Sequence, residues 1–285
     1  MTEDRRSQHT LSGDVRLFER FQSRFLAHPR PLWIYLPPQY QRETRSYPVL
    51  YLHDGQNIFD GATAYLPGEE WGVDEAAERL IANGRLDPLI VVAIGNTGQH
   101  RIHEYAPVRD PRRGAGGLAH AYGWMLVSEI KPLIDGLYRT MPGVETTGVG
   151  GSSMGGLLTM YLGLSWPHVF GRLAVMSPSV WWANGWLLTQ VGGLPKKTGQ
   201  RIWLDVGLRE GEATVRNVRA LRDELTRKGW KPGRDLHYME AREGDHSERA
   251  WAARAGAMLQ FLYPARRRRG VSLRGGGGRD PRRAP

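Results

Sequence analysis

The stretch Val149-Gly150-Gly151-Ser152-Ser153-Met154-Gly155-Gly156-Leu157 decides how this chain reads. It holds Gly-x-Ser-x-Gly with Ser153 at the centre. The pattern predicts a strand, a sharp turn and a helix. Glycines at 151 and 155 let the backbone pack closely around a strained serine. The strain lifts the hydroxyl to the top of a sheet, where a substrate and a histidine can reach it. A serine hydroxyl is a poor nucleophile at neutral pH, so it needs a base, and the base needs an orienting acid.

Working outward, apolar runs bounded by turn residues predict strands over 31–36, 47–52, 88–95, 171–176, 201–206 and 236–240, with an earlier strand pair within 11–29. Helical spacing predicts helices over 73–83, 121–139, 157–164, 215–228 and 250–262. In the 121–139 helix Trp124, Val127, Ile130, Ile134 and Leu137 form the apolar stripe, and Pro132 and Gly136 are kink points. Strands alternating with helices imply an α/β fold: a mostly parallel central sheet, helices on both faces, right-handed crossovers. With the serine turn this is the α/β-hydrolase fold. One domain is expected over 11–263, flanked by a flexible 1–10 and a disordered tail at 264–285.

In such a fold the chain order is serine, then Asp or Glu, then histidine. Downstream of Ser153 the histidines are His168, His237 and His246. His168 follows Trp166-Pro167 at the end of the serine's own helix, and His237 lies within a short strand. His246 lies in Glu243-Gly244-Asp245-His246-Ser247-Glu248, between the last strand and the last helix, and is the expected base. Two carboxylates compete for the acid. Asp205 lies within the strand RIWLDV, and Glu210 in the loop Gly207-Leu208-Arg209-Glu210-Gly211 beyond it. Glu210 is preferred because catalytic groups gather outside the carboxyl ends of strands. The oxyanion needs two N–H donors. Met154, after the nucleophile, supplies one. The turn His53-Asp54-Gly55-Gln56-Asn57 supplies the other, from Gln56, while His53 and Asp54 shape that loop. Trp181 and Trp182 are candidates for a substrate pocket, with core packing the alternative. His100 and His103 have the look of a metal pair, but loop placement and the absence of nearby cysteine argue against a metal site.

Composition bounds the remaining choices. The chain has 285 residues, 40% hydrophobic and 24% charged, which suits one large globular domain. It has no cysteine, which excludes disulfides, thiolate catalysis and cysteine-ligated zinc. The first ten residues are polar with no apolar leader, and the longest apolar run, 89–94, is too short for a bilayer. A soluble cytoplasmic protein with no membrane partner is expected. The net charge of +10 suggests nucleic acid, but eight arginines and one aspartate after residue 263 account for +7 of it. The basic character therefore belongs to a Gly/Arg/Pro tail that cannot build a core, and a nucleic-acid partner is not expected.

The chain resembles the putative esterase family of α/β-hydrolases, which includes esterase D-like proteins, feruloyl esterases, enterochelin esterases and mycolyltransferases. The resemblance rests on Trp33-Ile34-Tyr35-Leu36-Pro37-Pro38-Gln39-Tyr40 and on the segment from Tyr47 through Asp54-Gly55-Gln56-Asn57. It continues through Arg101 to Pro107, Gly151 to Gly156, Ser177-Pro178-Ser179-Val180-Trp181-Trp182, Gly207 to Glu210 and His246 to Trp251. It covers about residues 11–263, and the tail has no counterpart. It implies Ser153 as nucleophile, His246 as base and Glu210 as acid, with glutamate a mild departure from aspartate. It implies that Arg101, Glu104 and Tyr105 shape the loop beside the site. The expected activity is cofactor-free hydrolysis of a small-molecule carboxylic ester through an acyl-enzyme on Ser153. The alternatives are acyl transfer with the same three residues, and a non-catalytic protein that binds RNA through its tail.

Overall fold

A computed structural model describes residues 9–265, so the expectations for 1–8 and for the arginines beyond 265 lie outside the described residues. His9 and Thr10 close the stretch expected to be flexible. Here they are tied to one carboxylate, with His9 Nδ1 2.6 Å from Asp60 Oδ2 and the Thr10 N–H 3.2 Å from Asp60 Oδ1.

Eight strands form one sheet: β1 (Asp14–Phe21), β2 (Arg30–Leu36), β3 (Val49–His53), β4 (Ile90–Ile94), β5 (Thr147–Ser152), β6 (Arg172–Met176), β7 (Arg201–Gly207) and β8 (Leu236–Ala241). The helices are α1 (Val73–Ala82), α2 (Arg101–Tyr105), α3 (Ala119–Met125), α4 (Lys131–Leu137), α5 (Met154–Ser165), α6 (Trp182–Gly193), α7 (Glu212–Arg227) and α8 (Glu248–Leu262). The strand order is β1-β2-β4-β3-β5-β6-β7-β8. β2 runs antiparallel to both β1 and β4, and every other pair is parallel. This is the expected α/β-hydrolase architecture. No described helix is long and apolar enough to cross a membrane.

β3, β4 and β5 are buried at every position, because helices cover both faces of the sheet. One face packs against α1 and α8, with Leu80, Met258 and Leu259 in the core. The other packs against α3 to α7, with Ile134, Leu158, Val191 and Leu221. β5 is TGVGGS, and its small residues let neighbours close in. A Cβ on Gly150 would lie 2.6 Å from the Ala174 Cβ and 2.9 Å from Leu52 Cδ2. The strand order reverses about β3 and β5, whose paired ends carry the His53 turn and the Ser153 turn. Ligands bind at such a switch point.

Three departures from expectation have local causes. The early strand pair is a single strand, β1, whose partner is β2. The helix over 121–139 is broken by a π-turn over Leu126–Ile130, just ahead of Pro132. Proline has no N–H to donate and crowds the preceding turn, and the wider turn absorbs this. The phase of the stripe shifts with it: Ile130 and Ile134 stay buried, while Trp124 and Leu137 face solvent. Residues 182–193 form α6, which has no clear periodic signal and carries positive φ at Ala183, Asn184 and Gly185.

Candidate active site

Ser153 sits between β5 and α5 with φ 57° and ψ −120°. A non-glycine residue in this region stores about 1–3 kcal/mol of strain, held by its surroundings. The Ser153 N–H donates to Met176 O at 3.0 Å, and its carbonyl accepts from Ser179 N–H at 3.0 Å. Close packing bears on Gly151 and Gly156, whereas a Cβ on Gly155 would stay 3.4 Å or more from its neighbours, so the crowding expected at that position is not found there. A Cβ on Gly151 would meet His53 Cδ2 at 3.0 Å, and one on Gly156 would meet Met176 O at 2.8 Å.

Two loops at the same sheet edge bring the other two groups. Glu210 follows β7, and His246 lies between β8 and α8. The loops are laced together by Leu208 N–H to Ala241 O and Arg209 N–H to Gly244 O, both 2.9 Å. Ser247 caps α8, its Oγ accepting from Ala250 N–H, so His246 stands at the mouth of that helix. His246 Nε2 lies 2.9 Å from Ser153 Oγ, and His246 Nδ1 lies 2.7 Å from Glu210 Oε2. A carboxylate only accepts, so Nδ1 carries the proton and Nε2 is left to accept from the serine. The Trp251 ring meets the imidazole edge-on, with centroids 5.0 Å apart.

Asp205, the competing acid, does not touch His246. It is fully buried in β7 and accepts from Trp203 Nε1 at 2.6 Å and from Ser177 N–H at 3.2 Å. Arg254 Nη2 lies 3.2 Å away. Burial pushes the Asp205 carboxyl up, against the pull of Arg254.

The turn after β3 is locked from behind. Asp54 adopts φ 58° and opens a 3-10 turn over Gly55–Asn57. A Cβ on Gly55 would lie 2.7 Å from the Ala93 carbonyl carbon, so only glycine fits. Arg101 grips Asp54 through two bonds of 2.6 and 2.7 Å, and the Asn96 amide adds a third at 2.7 Å. Burial alone would push the Asp54 carboxyl up, but these donors outweigh it and hold it below the usual carboxylate range. Tyr105 Oη accepts from Asp54 N–H, and Glu104 forms a buried bidentate pair with Arg30. His53 is fully buried, with Nδ1 3.0 Å from Tyr122 Oη, and burial holds its pKa down to about 3. It is therefore neutral and packs behind Gly151. The N–H groups of Gln56 and Met154 each lie in the first turn of a helical segment, which leaves them without an intrahelical acceptor.

Ser153, His246 and Gln56 open onto a cleft of about 560 Å³. Its wall also includes residues that the sequence reading did not single out. Tyr65 and Leu66 come from the loop after Asp60, Asn96 from the end of β4, and Glu248 and Trp251 from α8. Glu248 and Trp251 fall within the segment that begins at His246, so proximity in sequence is the signal that marks them. The Trp181–Trp182 pair is not part of this wall. Trp182 is fully buried, its indole donating to Val108 O at 2.9 Å, and Trp181 is partly exposed beneath Arg113 at 4.6 Å. The core-packing alternative therefore describes Trp182. His100 stacks on His28 at 4.0 Å, while His103 Nδ1 accepts from Gly116 N–H.

The family model described as "Putative esterase" matches residues 23–262. The Escherichia coli K12 Iron(III) enterobactin esterase is 28% identical over 257 residues, covering 85% of this chain and 55% of that protein. The Bacillus subtilis protein YbbA is 26% identical over 187 residues, covering 64% of this chain and 69% of that one. The chain thus spans about half the length of the enterobactin esterase. Among solved structures, the BES protein from Bacillus cereus superposes with a TM-score of 0.70 at 20% identity, covering 90% of this chain and 97% of that one. An IroE-like serine hydrolase from Shewanella oneidensis gives 0.72 at 20% identity, covering 88% and 80%. The matched span takes in the serine turn, both loops and strands β2 to β8, and the chain belongs to the Putative esterase family.

Proposed function

We propose that this protein is a serine carboxylesterase acting through an acyl-enzyme on Ser153. The observation that carries this is the unbroken chain from Ser153 Oγ through the imidazole of His246 to Glu210, opening onto the cleft. Ser153 Oγ attacks the ester carbonyl as its proton passes to His246 Nε2. The Met154 and Gln56 N–H groups receive the oxyanion. Collapse of the tetrahedral intermediate expels the alcohol, which takes the proton from Nε2. Water then gives its proton to His246 and attacks the acyl-serine, and Ser153 Oγ takes that proton back from Nε2 as the acid leaves. Glu210 holds the imidazole in the tautomer that can accept. No cofactor enters these steps.

Water is the favoured acyl acceptor because the His246 side chain is 44% exposed, so solvent reaches the base directly. Acyl transfer to another alcohol would compete with that access. Product analysis in the presence of added alcohols separates the two. The main test is Ser153→Ala assayed on a short p-nitrophenyl ester. A loss of at least about 10³-fold in kcat is expected, since binding and oxyanion contacts alone leave a small residual rate. Full activity in the variant, or failure of a fluorophosphonate to label wild-type Ser153, would sink the proposal.

A further inference from the structure

Ser177 directly follows β6, one residue beyond the Met176 that pairs with Ser152. Its φ is 40°, a left-handed conformation that few non-glycine residues adopt. Its side chain is fully buried and is not part of the wall of the cleft at Ser153. The hydroxyl meets three side chains, and the backbone N–H meets a fourth. Trp251 Nε1 and Arg254 Nη2 each donate to Ser177 Oγ at 3.1 Å. Glu210 Oε1 lies 2.5 Å away. Asp205 Oδ1 takes the Ser177 backbone N–H and also pairs with Arg254.

The polarity of this hub has one solution. An indole N–H and a guanidinium can only donate, and a hydroxyl has two acceptor sites and one proton. Trp251 and Arg254 fill both acceptor sites. The single Ser177 proton must therefore point at Glu210 Oε1. That oxygen also accepts Gly207 N–H at 2.7 Å, so two fixed donors hold it and Oε2 alone faces His246.

We propose that Ser177 is the positioning residue for Glu210: its hydroxyl, forced to donate by Trp251 and Arg254, turns the carboxylate so that Oε2 meets His246 Nδ1. The inference rests on the triad reading proposed above. It also gives Asp205 a role two steps behind the reaction, as the counter-charge that keeps Arg254 in place. On these two loops Arg209 and Glu243 pair with each other at the surface, and Asp245 accepts from the Ser247 hydroxyl. Without the Ser177 hydroxyl, Trp251 Nε1 and Arg254 Nη2 lose a shared acceptor. Arg254 Nη2 keeps Asp205 Oδ1 at 3.2 Å, and the next acceptor beyond it is Glu210 Oε1, at 4.0 Å. The carboxylate then swings toward Arg254 and away from the imidazole.

The test uses Ser177→Gly and Ser177→Ala in the full chain. Glycine tolerates the positive φ, so Ser177→Gly removes the hydroxyl without adding strain and stands in if the alanine variant does not fold. Because Ser177 does not line the cleft, kcat for a p-nitrophenyl ester is expected to fall by on the order of 10²-fold with KM unchanged, the size of effect that a misplaced catalytic group produces. A second readout does not depend on turnover. The low-field proton resonance of His246 Nδ1, hydrogen-bonded to Glu210, is expected in wild type and lost or displaced in both variants. A folded Ser177→Gly protein with wild-type kcat and an unmoved resonance overturns the proposal. If wild type hydrolyses no ester, the esterase reading falls and the resonance alone decides this one.

Discussion

Replacing Glu210 with glutamine tests the identity of the acid, and the structure fixes what the amide must do. Two donors, Gly207 N–H and the Ser177 hydroxyl, face Oε1. The glutamine carbonyl oxygen has to stay there, which turns its NH₂ toward His246 Nδ1. Nδ1 must then accept, and the ring proton moves to Nε2, facing Ser153 Oγ 2.9 Å away. That tautomer cannot take the serine proton. The expected loss is about 10⁴-fold in kcat, or about 5.4 kcal/mol of transition-state stabilisation. KM should hardly change, since Glu210 is not part of the cleft wall. The control is Asp205→Asn. Arg254 is 2% exposed and would lose its full counter-charge, so this variant should cost about 3–5 kcal/mol of stability yet keep kcat within about tenfold. Both would be measured by steady-state hydrolysis of p-nitrophenyl butyrate beside thermal melts. If a folded Asp205→Asn lost 10³-fold or more in kcat while Glu210→Gln stayed near wild type, the assignment would be reversed.

Two further expectations concern stability. Asp74 is fully buried in the first turn of α1, with Oδ2 accepting Ser12 N–H at 2.7 Å and Oδ1 without a partner. Burial, then the contact with Glu75, pushes its carboxyl up to about 8. The unfolded value is about 3.9, so the stabilising protonated form is fully present below about pH 4 and is lost as pH rises to about 8. Asp74→Asn removes this titration, and its melting temperature should match wild type below about pH 4 and exceed it by about 10 °C above pH 8. A gap independent of pH would refute the assignment. Glu104→Gln should lower the melting temperature by about 10 °C, because Arg30 is fully buried and is left with half its partner's charge-assisted contacts. A shift below about 2 °C would show that the pair contributes little.

Much of this architecture is legible in the sequence because the fold writes it locally. β3, β4 and β6 are short apolar runs closed by turn residues, and their bounds differ from expectation by one or two positions. The order serine, acid, histidine follows from three loops at one sheet edge, which is why Ser153, Glu210 and His246 could be named together. Other features are written in contacts between distant segments. Trp181 and Trp182 are adjacent and equally apolar, yet Trp182 enters the core and Trp181 stays at the surface. The three positive-φ residues after them set that division, and no pattern of hydrophobicity announces it. The cleft instead takes Tyr65 and Leu66, which lie in a glycine-rich loop without periodicity.

The contest between Asp205 and Glu210 shows the limit most sharply. Both flank the end of β7, and a strand covered on both faces gives no alternation to say where Asp205 points. What separates them is Ser177, a residue 28 positions upstream of Asp205 and on another strand. Ser153 and Ser177 directly follow the neighbouring strands β5 and β6, and both have positive φ. Their hydroxyls differ only in what surrounds them. Ser153 faces an imidazole and a cleft, so its proton can leave. Ser177 faces two obligate donors and a carboxylate, so its proton is committed. Two similar strained turns thus stand at opposite ends of one hydrogen-bond chain, and the two carboxylates, both bound to Ser177, part according to which one also reaches His246.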